Sequence, residues 1–157
     1  MTGLAQHTLV EAVDGPAAIR DLVGKGMPVL TRLPSGARGF RILSKVTASA
    51  EPITVLRLAL DNGQVATVGA DQIIYRSGLV AVRASEVRPG DLLEASFHYP
   101  PGYHVRDAAG LEVAASGHAG LLVVAAEAAG TDVVYAGRVN ETGCLFLTSG
   151  ILCQVSP

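Results

Sequence analysis

The sequence predicts an all-β domain of short strands with one or two short helical turns. Three observations predict it. Apolar residues make up 49% of the 157, yet the helical period disappears after Pro28. The 18 Gly and 8 Pro follow no repeat and therefore read as turns. Between them lie short runs rich in Val, Leu and Thr, several closed by turn pairs such as Asn62-Gly63.

A strand over 8–13 ends at Asp14-Gly15, a strong turn pair. Pro16 then suits a first helical position, and 17–23 read as two helical turns with Ile19, Leu22 and Val23 on one face and Gly24 and Gly26 as the stop. Strands follow over 29–33 and 40–46, around Pro34-Ser35-Gly36. Over 53–60 the alternation puts Thr54, Leu56, Leu58 and Leu60 on the drier face, and Ile53, Val55, Arg57 and Ala59 on the other. Asp61-Asn62-Gly63 returns the chain into 64–69. A second hairpin joins 73–76 to 79–83 through Ser77-Gly78. Residues 84–87 form a turn of helix, Arg88-Pro89-Gly90-Asp91 a tight turn, and 92–97 a strand. An irregular excursion covers 98–119. Strands over 120–126, 131–139, 145–148 and 151–155 complete a single domain over 1–157. Segments 10–31 and 79–93 share one order (strand, Gly turn, short helix, Gly turn, strand), a weak internal echo.

Composition narrows the function. Twelve Lys and Arg against fourteen Asp and Glu give a net charge of −2, with no Trp and 4% aromatics, so nucleic acid finds neither a basic footprint nor a stacking platform. No stretch approaches the ~18 consecutive apolar residues of a membrane span. The opening residues lack a basic region and a long apolar core, so the expectation is a cytoplasmic chain. No metal or cofactor is expected: Cys144 and Cys153 lack zinc-site spacing, and His98, His104 and His118 read as solvated loop histidines. A deep polar pocket lined by one of those three would instead favour a small-ligand domain. His7 reads as structural or surface. With Ser149-Gly150 as a two-residue loop, Phe146 faces Cys153 and Cys144 faces Val155. The cysteines then share a face as diagonal neighbours ~7–8 Å apart, beyond the usual disulfide reach of ~4.4–6.8 Å, and stay reduced. Glu86 and Asp91 read as surface ion pairs with Arg83 and Arg88. Phe97, Tyr99 and Tyr103, around Pro100-Pro101, read as packing of the excursion onto the core.

Six strings occur in a telling order: Gly3-Leu4-Ala5-Gln6-His7-Thr8-Leu9-Val10; Ile19-Arg20-Asp21-Leu22-Val23-Gly24-Lys25 with Val29-Leu30-Thr31; the stretch 65–75; Val82-Arg83-Ala84-Ser85-Glu86-Val87-Arg88-Pro89-Gly90-Asp91-Leu92-Leu93; the stretch 134–139; and Phe146-Leu147-Thr148-Ser149-Gly150-Ile151-Leu152-Cys153-Gln154. Together they resemble the Hint family, the domain shared by hedgehog autoprocessing regions and inteins, over residues 3–154. The resemblance implies a compact Hint-like horseshoe without an inserted endonuclease, and an ancestral self-catalysed peptide-bond rearrangement. In that chemistry a first-position nucleophile attacks the preceding carbonyl. A Thr and a His three apart in the second block hold the amide and protonate its nitrogen. A penultimate His then assists a terminal Asn that cyclises.

The matching positions here are largely stripped of that chemistry. The nucleophile falls on Gly3. Anchored on Asp71, the second block offers Gly69 and Gln72; two residues earlier it offers Thr67 and Ala70. Cys144 stands where a His usually precedes Phe146, Cys153 replaces the penultimate His, and Gln154 the Asn. The expectation is a degenerate, inactive Hint domain, with no residue assigned as catalytic, retained as a binding or scaffold module for another protein. The alternative is residual self-cleavage at the N- or C-terminal junction.

Overall fold

The computed structural model describes residues 2–97, 104–106, 109–114 and 120–157. Sixteen strands follow in chain order: β1 (Leu4–Ala5), β2 (Leu9–Ala12), β3 (Gly15–Ala18), β4 (Met27–Arg32), β5 (Arg38–Ala48), β6 (Ile53–Leu60), β7 (Val65–Gly69), β8 (Ile73–Arg76), β9 (Val80–Arg83), β10 (Leu92–Leu93), β11 (His104–Arg106), β12 (Glu112–Ala114), β13 (Leu121–Asp132), β14 (Val134–Val139), β15 (Cys144–Phe146) and β16 (Leu152–Gln154). Among the described residues all strand pairs are antiparallel. One continuous path runs β15-β16-β8-β10-β13-β6-β7-β1-β14-β5-β4-β2-β3, with β9 beside β8 and the β11–β12 ribbon separate.

The internal echo extends over most of the chain. Strands β2 and β3 form a hairpin, a 3-10 turn at Ile19–Leu22 follows, and β4 returns beside β2. Strands β8 and β9 form a hairpin, a 3-10 turn at Ala84–Glu86 follows, and β10 returns beside β8. The long β5 pairs with β4 as the long β13 pairs with β10. The last strands are exchanged: β6 lies between β7 and β13, and β14 between β1 and β5. The pseudo-twofold passes through the β1–β7 pair, where Leu4 faces Val68.

Four sequence expectations are corrected. The helix over 17–23 is a 3-10 turn at Ile19–Leu22, preceded by a strand. Gly15, at φ +109, closes a tight turn that pairs Glu11 with Pro16, and Pro16 is tolerated because β3 is an edge strand lacking a further neighbour. The strand over 92–97 pairs regularly only at Leu92–Leu93, with Ala95 in a single bridge to Ile151. The separate strands over 120–126 and 131–139 divide at Val133, because Gly130 (φ +77) lies within the irregular pairing between Ala128 and Thr131 and makes a bulge in β13, not a chain reversal. The closing hairpin has a three-residue loop, Thr148-Ser149-Gly150, in which Gly150 at φ +102 donates its N–H to the Leu147 carbonyl at 2.8 Å. Cys144 therefore faces Gln154 and Cys153 faces Leu145. A one-residue slip exchanges faces, so the two cysteines lie on opposite faces of the hairpin. Tyr99, Tyr103, His98 and His118, with most of the excursion, lie outside the described residues.

The core draws on both halves, with Val10, Leu43, Leu58, Val68, Ile74, Leu93, Leu145 and Ile151 fully buried. On β6, Leu58 and Leu60 are buried as the drier face requires, but Thr54 is exposed. Val55, on the other face, is buried against Ala5 and Val134 where β1 and β14 cover it. Among the described residues no helix is long and apolar enough to cross a membrane. Leu58→Ala should destabilise the fold by about 2–5 kcal/mol, measured by urea denaturation with intrinsic tyrosine fluorescence.

Candidate functional site

The site grows from the β1–β7 crossing. Strand β1 is held on both sides, Leu4 facing Val68 on β7 and Tyr135 on β14. Just ahead of it, the Gly3 carbonyl accepts the Gly69 N–H at 2.9 Å. Gly3 has φ +154, and a Cβ there would lie 2.9 Å from Val134 Cβ and 3.0 Å from the Tyr135 carbonyl oxygen. A Cβ on Gly69 would lie 3.1 Å from Ile53 Cδ1 and 3.3 Å from the Gly3 carbonyl oxygen. Two glycines thus meet where neither position has free room for a side chain.

Beyond β7 the chain turns back on itself, the Gln72 N–H donating to the Gly69 carbonyl at 3.0 Å. This turn drives the Gln72 side chain inward, to 2% exposure. Its Nε2 donates to the Gln154 carbonyl at 2.7 Å and to the Ile73 carbonyl at 3.0 Å, so both carboxamide hydrogens are used. The tail after Gln154 is fastened by Val155 N–H to the Gly143 carbonyl (2.9 Å) and Ser156 N–H to the Gly137 carbonyl (3.2 Å). Between these pieces lies a cleft of about 250 Å³ whose lining includes Thr2, Gln72, Gln154, Ser156 and Pro157. Both ends of the described chain therefore open onto one cleft. No side chain in its lining titrates, so the cleft itself offers hydrogen bonds but no acid, base or thiol.

Gly3, Gly69, Gln72 and Gln154 are thus brought together. The other positions are not. Thr67 faces a different cleft, its carbonyl accepting the Thr8 hydroxyl at 2.6 Å. Asp71 is exposed. Cys144 is buried with Phe146 and Leu152, its Sγ 3.3 Å from the Thr31 hydroxyl. Cys153 lies in the main core. Burial, and secondarily the nearby Cys144, push the Cys153 thiol far above its ordinary range, so at physiological pH it is a neutral, enclosed S–H.

Other expected pairings are corrected. Asp91 pairs with Arg76 (3.1 Å), not with the Arg88 side chain, and accepts the Arg88 backbone N–H at 2.9 Å. Glu86 accepts the Arg83 backbone N–H at 3.3 Å, closing the 3-10 turn that follows β9. His104 is exposed on β11, and Phe97 is exposed. His7, exposed beside β2, lines a cleft with Thr8, Thr148 and Ser149. All three hydroxyl residues lie within the family-like strings 3–10 and 146–154, but those strings assign none of them a role.

Comparison with known proteins settles the fold. No protein-family model matches the chain, and no curated protein matches its sequence. Solved structures do. The DnaB intein from Synechocystis sp. PCC 6803 superposes with a TM-score of 0.74 at 11% identity, covering 100% of both chains. A mutant of an Ssp DnaB mini-intein variant gives 0.77 at 13% identity, again over 100% of both. The bacterial intein-like domain from Clostridium thermocellum gives 0.70 at 16% identity, over 98% of this chain and 99% of that one. The chain has the Hint fold of inteins and intein-like domains.

Two outcomes follow from the geometry. Both thiols should resist iodoacetamide at pH 8 in the folded chain and react fully in denaturant, as read by intact mass. Gly3→Ala should cost about 1–3 kcal/mol, because the added Cβ meets Val134 and the neighbouring backbone; urea denaturation measures it.

Proposed function

We propose that this chain is an intein-type Hint domain that has lost thioester formation at its N-terminal junction and works as a folded module binding another protein. The observation that carries the reading is the closed space at Gly3, where even a Cβ would overlap Val134. The nucleophile's position is therefore filled by neighbouring structure as well as lacking a reactive atom, and loss of a nucleophile typically costs many orders of magnitude in rate. The partner of that chemistry is also altered: the Gln72 carboxamide cannot protonate a departing amide nitrogen, and its hydrogens are engaged in holding β16.

One contact favours a second reading, slow cleavage after Gln154. Gln72 Nε2 donates to the carbonyl of the Gln154–Val155 bond, where an oxyanion would form. Attack by the Gln154 side-chain nitrogen on that carbonyl carbon would form a six-membered imide. The bond to Val155 would break, and the proton lost from the attacking nitrogen would pass to the departing amine. No titrating side chain in the cleft assists that transfer.

A fusion carrying one tag before Thr2 and another after Pro157 tests both readings. We expect its intact mass to be unchanged after prolonged incubation with dithiothreitol or hydroxylamine. Release of the N-terminal tag at Gly3 overturns the proposal. Release beyond Gln154, abolished by Gln72→Ala, supports the second reading.

A further inference from the structure

The turn between β6 and β7 carries one of the chain's two asparagines, Asn62, and Gly63 follows it; the other, Asn140, is followed by Glu141. An asparagine carboxamide is an electrophile, and the next residue's backbone nitrogen is the nucleophile closest to it along the chain. Glycine leaves that nitrogen unshielded and permits close approach, whereas a larger residue crowds it.

Three hydrogen bonds define the chemistry of this turn. Asn62 Oδ1 accepts the Gln64 N–H at 2.9 Å, closing a ring that contains both Asn62 Cγ and the Gly63 nitrogen. The same N–H lies on the oxygen that becomes anionic when that nitrogen adds to Cγ. Asn62 Nδ2 donates to the Ser149 carbonyl at 2.9 Å, fastening the loop between β15 and β16. The Gly63 N–H donates to the Leu60 carbonyl at 3.1 Å and must leave it before the nitrogen can attack. The step is therefore slow and tied to opening of the turn. Asn62, Gly63 and Gln64 are exposed, so water reaches them.

We propose that Asn62 is a self-modification site whose conversion unfastens the closing hairpin. The Gly63 nitrogen loses its proton to hydroxide and bonds to Asn62 Cγ. The Cγ–Nδ2 bond breaks, the departing nitrogen takes a proton from water and leaves as ammonia, and a five-membered succinimide remains. Water then adds to either ring carbonyl and opens the ring to aspartate or isoaspartate, with nothing oxidised or reduced. Both products replace the Nδ2 donor by an ionised carboxylate, which only accepts. The carbonyl of the buried Ser149 then loses its donor and faces negative oxygen, at a cost. This chemistry goes beyond the binding-module reading and is independent of it.

The test ages the full folded chain at neutral and mildly alkaline pH and follows it by intact mass and tryptic mapping. We expect the mass gain of an NH2-to-OH exchange, located at Asn62 within the fragment 58–76. Isoaspartate, which direct hydrolysis of the carboxamide cannot make, should be among the products, and the rate should rise with pH. Asn140 should stay unchanged over the same period. Asn62→Asp reproduces one product and keeps the Gln64 acceptor. It should speed amide hydrogen exchange about 2- to 10-fold, the worth of one hydrogen bond, at Leu147 and Gly150, whose N–H groups donate to the Ile151 and Leu147 carbonyls. If that variant does not fold, the aged wild-type chain, separated by anion exchange, gives the same reading. An intact Asn62 after an incubation that converts the urea-unfolded chain overturns the proposal. So does equal conversion of Asn140, aspartate without isoaspartate, or unaltered exchange at Leu147 and Gly150.

Discussion

The close crossing of β1 and β7 is the constraint on which the remaining structure depends. Leu4 and Val68 are both buried there, and the Gly3 carbonyl meets the Gly69 N–H at 2.9 Å. Each of the two strands also carries an exchanged neighbour, β14 on β1 and β6 on β7. The two halves are thus interlocked and could not separate without exposing Leu4, Val68 and the interior of both long strand pairs. Side chains are excluded from this crossing for the same reason that it holds: backbone hydrogen bonding at this distance requires close approach, and only glycine at Gly3 leaves Val134 in place.

What the sequence made legible was local. The Asn62-Gly63 hairpin, the Ser77-Gly78 hairpin and the repeated Gly-flanked turns follow from backbone preferences that act within a few residues. Elements set by distant partners were less legible. Ala17-Ala18 after Pro16 has ordinary helical character, but β2 supplies hydrogen bonds that a two-turn helix cannot match. Gly130 could equally mark a turn or a bulge, and its role was fixed by β6, more than seventy positions earlier. The exchange of β6 and β14 involves no local signal at all.

The candidate site shows the same division. A strand repeats every two residues, so Gly69 with Gln72 and Thr67 with Ala70 were equally compatible with its face pattern. The pairing of Leu4 with Val68 separates them, placing Gly69 against Gly3 and sending the Thr67 carbonyl to Thr8. The cysteines depended on a loop one residue longer than the shortest alternative. That single residue turns Cys144 toward Thr31 and leaves Cys153 in the main core, on the other face.

Gln72 and Thr8 hold equivalent places in the two halves, their N–H groups donating to the Gly69 and Ala5 carbonyls, and differ in the reach of the side chain. Gln72 is long enough to cross to the Gln154 carbonyl, and in doing so fixes the tail. Thr8 reaches only the Thr67 carbonyl. It satisfies a β7 acceptor near the end of β1. The carboxamide of Gln72 also carries no titrating proton, so the grip on the tail does not vary with pH through this group. A histidine there could exchange a proton with a departing amide but would present its N–H groups in a different geometry. Proton transfer and a permanent double hydrogen bond are competing uses of the same buried position. With Gln at 72 and Gly at 3 and 69, the crossing favours permanence: the Hint fold is kept, with the Gln72 carboxamide holding the Gln154 carbonyl and the Gly3 carbonyl holding the Gly69 N–H.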